Sequence, residues 1–350
     1  MTEKKSSNSN LRKANKVKND EFYTQLFDIE NELKYYKNQF RGKIVYCNCD
    51  DPFESNFFKY FASNFKALGL KRLITTSYKP SPVANTQLAL FGNDKTLAPK
   101  KGRSKINANK FIINDVGDLD GDGSFDLQDI AEQLRANKNN EWSPLEGDGD
   151  FRNPESIELL KKADIVVTNP PFSLFREYVV QLIQYKKSFL ILGNDNALGY
   201  KEIFKLVKNN YIWPGYSHAK EFKQPDGTLK TFGNISWYTN LDTTKRHEEL
   251  ILYKKYSAQE FSKFDNYDAI NIDKTTDIPA DFKGVMGVPI SFLHKYNPNQ
   301  FEIIDGLNRY TILDVAKKND WARKNHIHMT EINGRSKFFR VLIKNKKPQK

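Results

Sequence analysis

Short apolar runs alternate with amphipathic stretches over the first two thirds of the chain. Four runs have the length of buried strands: KIVYCNC at residues 43–49, KRLITTSY at 71–78, DIVVT at 164–168 and KSFLILGN at 187–194. Residues 54–70 repeat large apolar side chains at helical spacing and end near Gly69, which predicts a helix. Apolar strands that alternate with helices are typical of a parallel sheet covered on both faces. We therefore expect an α/β fold with right-handed crossovers.

Two stretches depart from this alternation. Residues 79–110 are rich in Pro, Asn and Lys, which predicts a loop excursion. The last third of the chain has a different pattern, and we find no internal repeat. We therefore expect an arm over residues 1–20, an α/β domain over residues 21–244 that contains the insert, and a separate region over residues 245–350.

The composition is that of a folded protein in an aqueous compartment. With 350 residues, 39% of them hydrophobic, the chain can bury a sizeable core. No apolar run approaches the roughly 20 residues of a membrane span, and the N-terminal residues lack the apolar core of a signal peptide. We expect a cytoplasmic protein without membrane contact. Cys47 and Cys49 are poorly spaced for a disulfide, and the histidines are scattered, so we expect no metal site.

The net charge of +12 is concentrated in three segments. Lys and Arg outnumber acidic residues in the arm at residues 1–20, in the insert at 79–110 and in residues 321–350, whereas the rest of the chain is net negative. Such clustering is typical of a protein that binds a polyanion such as nucleic acid. The alternative is that these segments are flexible, solvated, Lys-rich ends.

The sequence Asn169-Pro170-Pro171-Phe172 directly follows the predicted strand DIVVT. In open α/β sheets, ligands bind outside the carboxyl ends of the strands, which is where this motif is predicted to lie. The two prolines fix their φ angles and bias Asn169 away from the helical region, so the backbone is stiff. The Asn169 amide oxygen and the Pro170 carbonyl are acceptors, and the Phe172 ring is a stacking surface. Together they suit a planar group that carries an NH₂.

Methylation of an exocyclic amine needs this arrangement. The lone pair of adenine N6 is delocalised into the ring, and acceptors that hold its two hydrogens favour the more pyramidal geometry of the transition state. A strong base is not needed, because the proton becomes acidic only after the methyl group arrives. The motif alone leaves glutamine and guanine-N2 methyltransferases open, and it also fits an ordinary turn between strand and helix.

Residues 118–129, DLDGDGSFDLQD, match a calcium-binding loop in outline. They depart from it at Asp129, where a bidentate Glu is usual, and the preceding KFIIND is not helical. An acidic surface turn that caps the helix LQDIAEQLR is the alternative interpretation, and we favour it.

Four longer stretches resemble the EcoRI-type family of adenine-specific DNA methyltransferases: NDEFYTQLFDIENELKYY, KIVYCNCDDPFESNFFKYF, GDGDFRNPESIELLKKADIVVTNPPFSLFREYV and GVMGVPISFLHKYNPNQFEIIDG. They are spread over the chain outside the insert and the ends and cover about a third of that part. The resemblance implies a Rossmann-like methyltransferase fold with a C-terminal target-recognition region. It also implies S-adenosyl-L-methionine as the donor and double-stranded DNA as the substrate.

The resemblance assigns further roles to individual residues. It implies that Tyr23 and Thr24 lie near the methionine end of the donor. Residues 47–50 correspond to a Gly-rich turn in relatives. Because they contain no glycine, a close approach of their backbone to the donor is in doubt. Asn48 and Asp50 offer polar contacts to the donor. The remaining assignments are Asp150 as acceptor for the adenosyl amine, Phe151 as its aromatic wall, and Trp237 or Tyr238 in NISWYTNL as a contact of the extruded base unless that segment is a plain aromatic strand.

These inferences predict an enzyme that methylates adenine N6 in a specific DNA sequence. The target base would flip out of the duplex and stack on Phe172, because N6 is otherwise engaged in base pairing. We expect a monomer, with a cognate restriction endonuclease as a candidate partner. The alternatives are a glutamine or RNA-guanine N-methyltransferase, and a non-catalytic DNA-binding protein.

Overall fold

A computed structural model describes residues 23–49, 55–78, 108–117, 139–224, 227–307, 330–337 and 339–349. The predicted arm, most of the insert, the calcium-like loop and Asp50 lie outside these residues. Among the described residues, no helix is both long enough and apolar enough to cross a membrane.

The described residues form strands and short helices along the whole chain. The strands are β1 Tyr23–Thr24, β2 Ile44–Asn48, β3 Arg72–Thr76, β4 Asn109–Ile113, β5 Glu141–Pro144, β6 Ile165–Thr168, β7 Ser188–Asn194, β8 Trp213–His218, β9 Glu221–Lys223, β10 Leu229–Thr231, β11 Ile235–Thr239, β12 Ile270–Asn271, β13 Val285–Pro289, β14 Phe301–Leu307, β15 Glu331–Ile332, β16 Arg335–Ser336 and β17 Arg340–Asn345. The α-helices are α1 Leu26–Leu33, α2 Asn56–Ser63, α3 Phe65–Leu68, α4 Pro154–Lys162, α5 Phe175–Gln184 and α6 Lys201–Lys208.

Eight strands form one mixed sheet in the order β5-β4-β3-β2-β6-β7-β11-β8. The four predicted strands are β2, β3, β6 and β7, and they are parallel to one another. The expectation of a parallel sheet is wrong at the β3 edge, because β4 is antiparallel to both β3 and β5. Residue Lys110 at the start of β4 pairs with Thr76 at the end of β3, so the chain re-enters the sheet at the end where it left. Such a return needs no crossover helix.

The insert is therefore shorter than the sequence predicts. Ala108 is fully buried, and Asn109 and Lys110 begin β4. Lys110 also lies 3.5 Å from Glu155 of α4. Residues 108–110 thus belong to the folded sheet rather than to a loop excursion.

The helix predicted over residues 54–70 is interrupted at Asn64. Its φ of −101° and ψ of 11° separate α2 from α3, and its side-chain amide donates to the carbonyl of Tyr60 at 2.8 Å. Asparagine competes with the helix in this way because its side chain bonds the local backbone. Phe57 and Phe61 are buried as their spacing predicts, and Gly69 ends α3 with a φ of +62°.

The direction in which the sheet is built changes between β2 and β6. From β2 the chain adds β3, β4 and β5 on one side, and it then returns to place β6 on the other side of β2. Asn48 and Thr168 end these two strands, so both carboxyl ends lie where the order of strand addition reverses. This is the place in the sheet where a ligand is expected.

The chain divides into two compact units. The first comprises residues up to 193 together with residues 217–237, and the second comprises residues 194–216 together with residues 238–350. The first unit also holds a small antiparallel sheet in which β9 pairs with β1 and β10. The target-recognition role of residues 245–350 stays a prediction, since this division does not test it.

The second unit contains a four-stranded sheet in the order β12-β13-β17-β14. Strand β17 is antiparallel to both of its neighbours, and its residues Val341 and Ile343 are fully buried. The interpretation of the basic residues 321–350 as a flexible end is therefore wrong for residues 340–345. The Lys344 side chain is exposed on this strand, and Lys346 donates to the carbonyl of Pro298 at 2.8 Å.

Candidate active site

The Asn-Pro-Pro-Phe motif directly follows β6, all four residues of which are buried. Pro171 has a φ of −55° and a ψ of 123°, and its carbonyl accepts from the amide of Leu174 at 3.0 Å. This bond closes a 3₁₀ turn over Phe172–Leu174 that leads directly into α5. The predicted order of strand, motif and helix is confirmed, and the motif lies at the carboxyl end of β6.

The motif combines a buried acceptor with an accessible ring. The side-chain oxygen of Asn169 is buried, Pro170 is buried, and the Phe172 ring is half-buried. An amide oxygen that is shielded from water is a stronger acceptor than one in bulk solvent, because the local dielectric is lower. The arrangement can bind the amine edge and the face of one planar group.

The turn after β2 lies beside this motif. The Thr168 hydroxyl donates to the Asn48 carbonyl, and the Tyr178 hydroxyl of α5 donates to the Asn48 side-chain oxygen. Both bonds are buried, and Asn48 is only 2% exposed. In this structure Asn48 therefore ties the end of β2 to β6 and α5.

Cys49 takes the backbone conformation that a glycine would favour. Its φ is +67°, in the left-handed region, where a residue with a Cβ atom is strained by roughly 1–2 kcal/mol. Residue 49 therefore has a backbone conformation typical of glycine, although it is a cysteine.

We expect Cys49→Gly to raise the free energy of unfolding by about 0.5–1 kcal/mol, since relief of the strain exceeds the added entropy of glycine in the unfolded chain. Thermal and chemical denaturation measure the change. Cys47→Gly is the control, because Cys47 is fully buried within β2 and its replacement should lower stability. Equal losses in both variants would contradict the assignment of strain to Cys49.

The loop GDGDF at residues 147–151 packs against the end of β3. Gly149 has a φ of +82°, and a Cβ atom placed on it would lie 2.0 Å from the carbonyl oxygen of Ser77. Within the loop, one Asp148 carboxylate oxygen accepts from the amide of Asp150 at 3.0 Å and from the side chain of Asn153 at 2.6 Å. The loop is thus held rigidly at the same edge of the sheet as the motif.

Tyr78, just beyond β3, shows how closely acidic groups gather at this edge. Burial raises the pKa of its phenol, and the negative charges of Asp148 and Asp150 raise it further. A ligand that brings hydrogen-bond donors or positive charge to this edge would find complementary surroundings.

Asp150 is bound by Arg152 in this structure. One carboxylate oxygen accepts from the amide and Nε of Arg152, both at 2.9 Å, and the other accepts from Nη2 at 2.7 Å. Burial would raise the pKa of the Asp150 carboxyl, but the hydrogen bonds and charge of Arg152 outweigh it and lower that pKa. Asp150 is therefore an ionised acceptor whose geometry is fixed by its neighbour.

Phe151 is almost fully buried, at 3% exposure. Its ring meets Tyr178 edge to face with a centroid separation of 4.9 Å, and the Arg152 guanidinium lies over it at 5.2 Å. Gln181 of α5 donates to its carbonyl at 3.1 Å. Phe151 thus lies beneath Arg152, and its role as the aromatic wall of the donor site stays a prediction.

The N-terminal segment reaches the same edge of the sheet. Strand β1, formed by Tyr23 and Thr24, pairs with β9, and the Thr24 carbonyl accepts from the side chain of Asn56 at 2.8 Å. Asn56 is the first residue of the helix that follows β2, so Thr24 lies near the carboxyl end of that strand. The Thr24 hydroxyl is buried and has no hydrogen-bond partner among the residues that the structure describes.

The aromatic strand NISWYTNL is confirmed as β11, with both predicted base contacts buried. Trp237 is 0% exposed and packs edge-on against Phe57 at 5.9 Å. Tyr238 is equally buried, and its hydroxyl donates to the Asn194 carbonyl at 2.9 Å. This burial favours the plain structural strand, and contact with an extruded base stays a prediction.

Sequence reasoning did not find Arg152, Tyr178 or Gln181. Arg152 looks like a surface residue next to the GDGDF loop, and Tyr178 occupies a core position of an amphipathic helix. The available signal was a polar aromatic residue on the buried face of the helix that directly follows the motif, since a buried Tyr hydroxyl usually has a specific partner.

The mixed α/β sheet and the motif at the carboxyl end of β6 are typical of an enzyme that binds a small ligand there. Comparisons with a protein family and with individual relatives specify it further. The chain matches the family described as adenine-specific methyltransferase EcoRI over residues 10–346. It is 45% identical to the type II methyltransferase M.EcoRI of Escherichia coli over 98% of each chain.

Two Mycoplasma proteins are also similar over almost their whole length. The type II methyltransferase M.MpnI of Mycoplasma pneumoniae is 37% identical over 95% of this chain and 97% of its own, and M.MgeORF184P of Mycoplasma genitalium is 36% identical over 95% and 98%. No solved structure matches the chain. The chain belongs to the EcoRI family of adenine-specific methyltransferases, and it is an adenine-specific DNA methyltransferase.

Proposed function

We propose that this enzyme transfers a methyl group from S-adenosyl-L-methionine to the N6 amine of an adenine in a specific sequence of double-stranded DNA, with Asn169, Pro170 and Phe172 binding the target base. The observation that carries the proposal is the position of the motif. The motif follows β6, and β2 and β6 are the neighbouring strands at which the order of strand addition reverses. The Asn169 side-chain oxygen is buried, and the Phe172 ring is half-buried.

The parallel strands β3, β2, β6 and β7 support a Rossmann-like fold with the donor at the carboxyl ends of these strands. The residues at this edge fit such a donor. The Asp150 carboxylate already accepts from a planar N–H group, and the Thr24 hydroxyl is buried without a described partner. When bound, the donor supplies an electrophilic methyl group. Tyr23, Asn48 and Phe151 complete the proposed binding surface, with Asp50 beyond the described residues.

The motif acts on the target amine by accepting hydrogen bonds from it. The Asn169 side-chain oxygen and the Pro170 carbonyl accept the two N6 hydrogens, and these bonds strengthen as the nitrogen becomes pyramidal. Because the two prolines fix the backbone, the acceptors need little rearrangement when the base arrives. An amide suffices at residue 169, since its role is to accept hydrogen bonds and not to remove a proton.

Access to N6 requires the base to leave the duplex, because its amine is otherwise engaged in pairing. The half-buried Phe172 ring offers a stacking surface at the mouth of the motif. Stacking on an aromatic ring partly replaces the base stacking that the flipped adenine loses.

We expect Phe172→Ala to weaken capture of the flipped base by about 1–3 kcal/mol, the range measured for stacking of a base on an aromatic side chain. Phe172→Trp should retain most of the capture, because it preserves the ring surface. A fluorescent base analogue at the target position measures extrusion. Equal brightening with the parent and with the Ala variant would show that this ring does not hold the base.

The proposed function is tested by incubating the purified chain with S-adenosylmethionine labelled in its methyl group and, in separate reactions, with duplex DNA, RNA and protein. We expect label in N6-methyladenine, and sequencing of DNA from expressing cells would then show the target sequence. Label in protein or RNA but not in DNA would favour the glutamine or guanine alternative. DNA binding without any transfer would favour a non-catalytic protein.

A further inference from the structure

The Arg152 side chain has the shape and chemistry of the group that the neighbouring loop is proposed to bind. A guanidinium is planar and carries N–H donors along its edge, as does the amine edge of an adenine ring. Arg152 directs Nε and Nη2 at the two oxygens of Asp150, at 2.9 and 2.7 Å, and its guanidinium carbon lies over the Phe151 ring at 5.2 Å. It therefore occupies both the acceptor and the ring that the adenine of the donor would use.

We propose that Arg152 fills the adenine site of the methyl donor in the free enzyme and moves to Glu177 when the donor binds. This inference rests on the proposed donor site at Asp150 and Phe151. It makes Arg152 a positioning residue that the donor displaces, and Glu177 the group that receives it.

The surroundings of Arg152 permit this movement. Its side chain is 47% exposed, so it can swing into solvent without disturbing the core. Glu177 is already its second partner, with Nη1 3.3 Å from a carboxylate oxygen, and the Glu177 side chain is 58% exposed. A rotation toward Glu177 would strengthen this ion pair while it releases the two side-chain bonds to Asp150.

The backbone bond to Asp150 would survive the movement. The amide of Arg152 donates to the Asp150 carboxylate at 2.9 Å, independently of the side chain. The second carboxylate oxygen, which among the described residues accepts only from Nη2, would then face the amine of the donor. In the free enzyme the same pairing keeps a partly buried carboxylate ionised, as the lowered pKa of Asp150 indicates.

The position of Glu177 links the donor to the base site. Glu177 lies in the first turn of α5, which begins three residues after Phe172. Binding of the donor would thus strengthen a contact to the helix that leads out of the Asn-Pro-Pro-Phe motif. Donor binding would in this way be coupled to the segment that binds the base.

The test is the affinity of the purified full chain for S-adenosylhomocysteine, measured by calorimetry without DNA, so that catalysis plays no part. Arg152→Ala should bind roughly two- to fivefold more tightly than the parent, as expected when a half-exposed ion pair no longer has to be broken. Arg152→Lys keeps the charge but lacks the planar fork, and should also bind more tightly than the parent. Thermal denaturation shows that each variant is folded.

The role of Glu177 is isolated by a double-mutant cycle. Glu177→Gln should weaken binding roughly two- to fivefold in the parent, because displaced Arg152 loses its acceptor, and it should have no effect in the Arg152→Ala background. Glu158→Gln is the matched control, since Glu158 forms an exposed pair with Lys161 at 2.7 Å on α4, away from this contact. It should leave the affinity unchanged.

The outcomes separate this inference from the proposed donor site. Weaker or unchanged binding in both Arg152 variants, or an equal effect of Glu177→Gln in both backgrounds, would overturn the displacement of Arg152. Asp150→Asn tests the site itself. If Asp150→Asn weakens binding but the Arg152 variants do not bind more tightly than the parent, only the inference about Arg152 is wrong. If Asp150→Asn has no effect on binding, the proposed donor site and the inference are both wrong.

Discussion

Replacing Asn169 by alanine is expected to reduce methyl transfer by about 100-fold or more while donor and DNA binding stay within a few-fold of the parent. The lost hydrogen bond strengthens only as the amine approaches the transition state, so its removal lowers kcat rather than affinity. Single-turnover transfer of labelled methyl measures the rate, and equilibrium titrations measure both affinities.

Two variants sharpen this result. Asn169→Asp keeps an acceptor oxygen in place and should retain more activity than Asn169→Ala. Asn31→Ala is the control, because Asn31 lies on α1 and its side chain accepts an exposed hydrogen bond from Lys34. Full activity in the Asn169→Ala enzyme would show that this amide is not the acceptor.

The second large effect is expected from Gly149→Ala, which should both destabilise the protein and weaken donor binding. A methyl group there would meet the Ser77 carbonyl at 2.0 Å, and the φ of +82° adds backbone strain. The loop must therefore shift, and Asp150 and Phe151 would shift with it. Denaturation and calorimetry with S-adenosylhomocysteine measure the two consequences.

Gly42→Ala separates the two causes. Gly42 has a similar φ of +71°, but no described atom lies within 4 Å of a Cβ placed on it. This variant should lose only the roughly 1–2 kcal/mol of left-handed strain and keep its donor affinity. Equal behaviour of the two variants would mean that the close approach to Ser77 does not position the loop.

The sequence predicts elements whose signal is local. β2, β3, β6 and β7 are found because each is a continuous apolar run, and the motif is placed correctly because it follows one of them. The antiparallel direction of β4 is not predictable in the same way, since it depends on where the chain returns after a long insert. β17 is missed because its short apolar core lies in a Lys-rich segment whose charge dominates the composition.

The site shows the same division. The residue types at 169–172 indicate a site for a planar amine, but alone they do not separate adenine from glutamine or guanine, or a binding site from an ordinary turn. The contact of Asn48 with Tyr178 depends on how distant segments meet, and that of Asp150 with Arg152 depends on the conformation of one turn. No periodic pattern in the sequence predicts either contact. The left-handed φ of Cys49 is also hidden, because a cysteine gives no sign that its position demands a glycine-like backbone.

The inner position of β17 has a consequence for biosynthesis. Strands β13 and β14 are not neighbours in their sheet and are joined only through β17, which the ribosome makes last of the three. The sheet of the second unit therefore cannot assemble while residues 340–345 are still being synthesised. A nonsense codon shortly before residue 340 would leave two unpaired strand edges, and such a product is prone to aggregation and proteolysis.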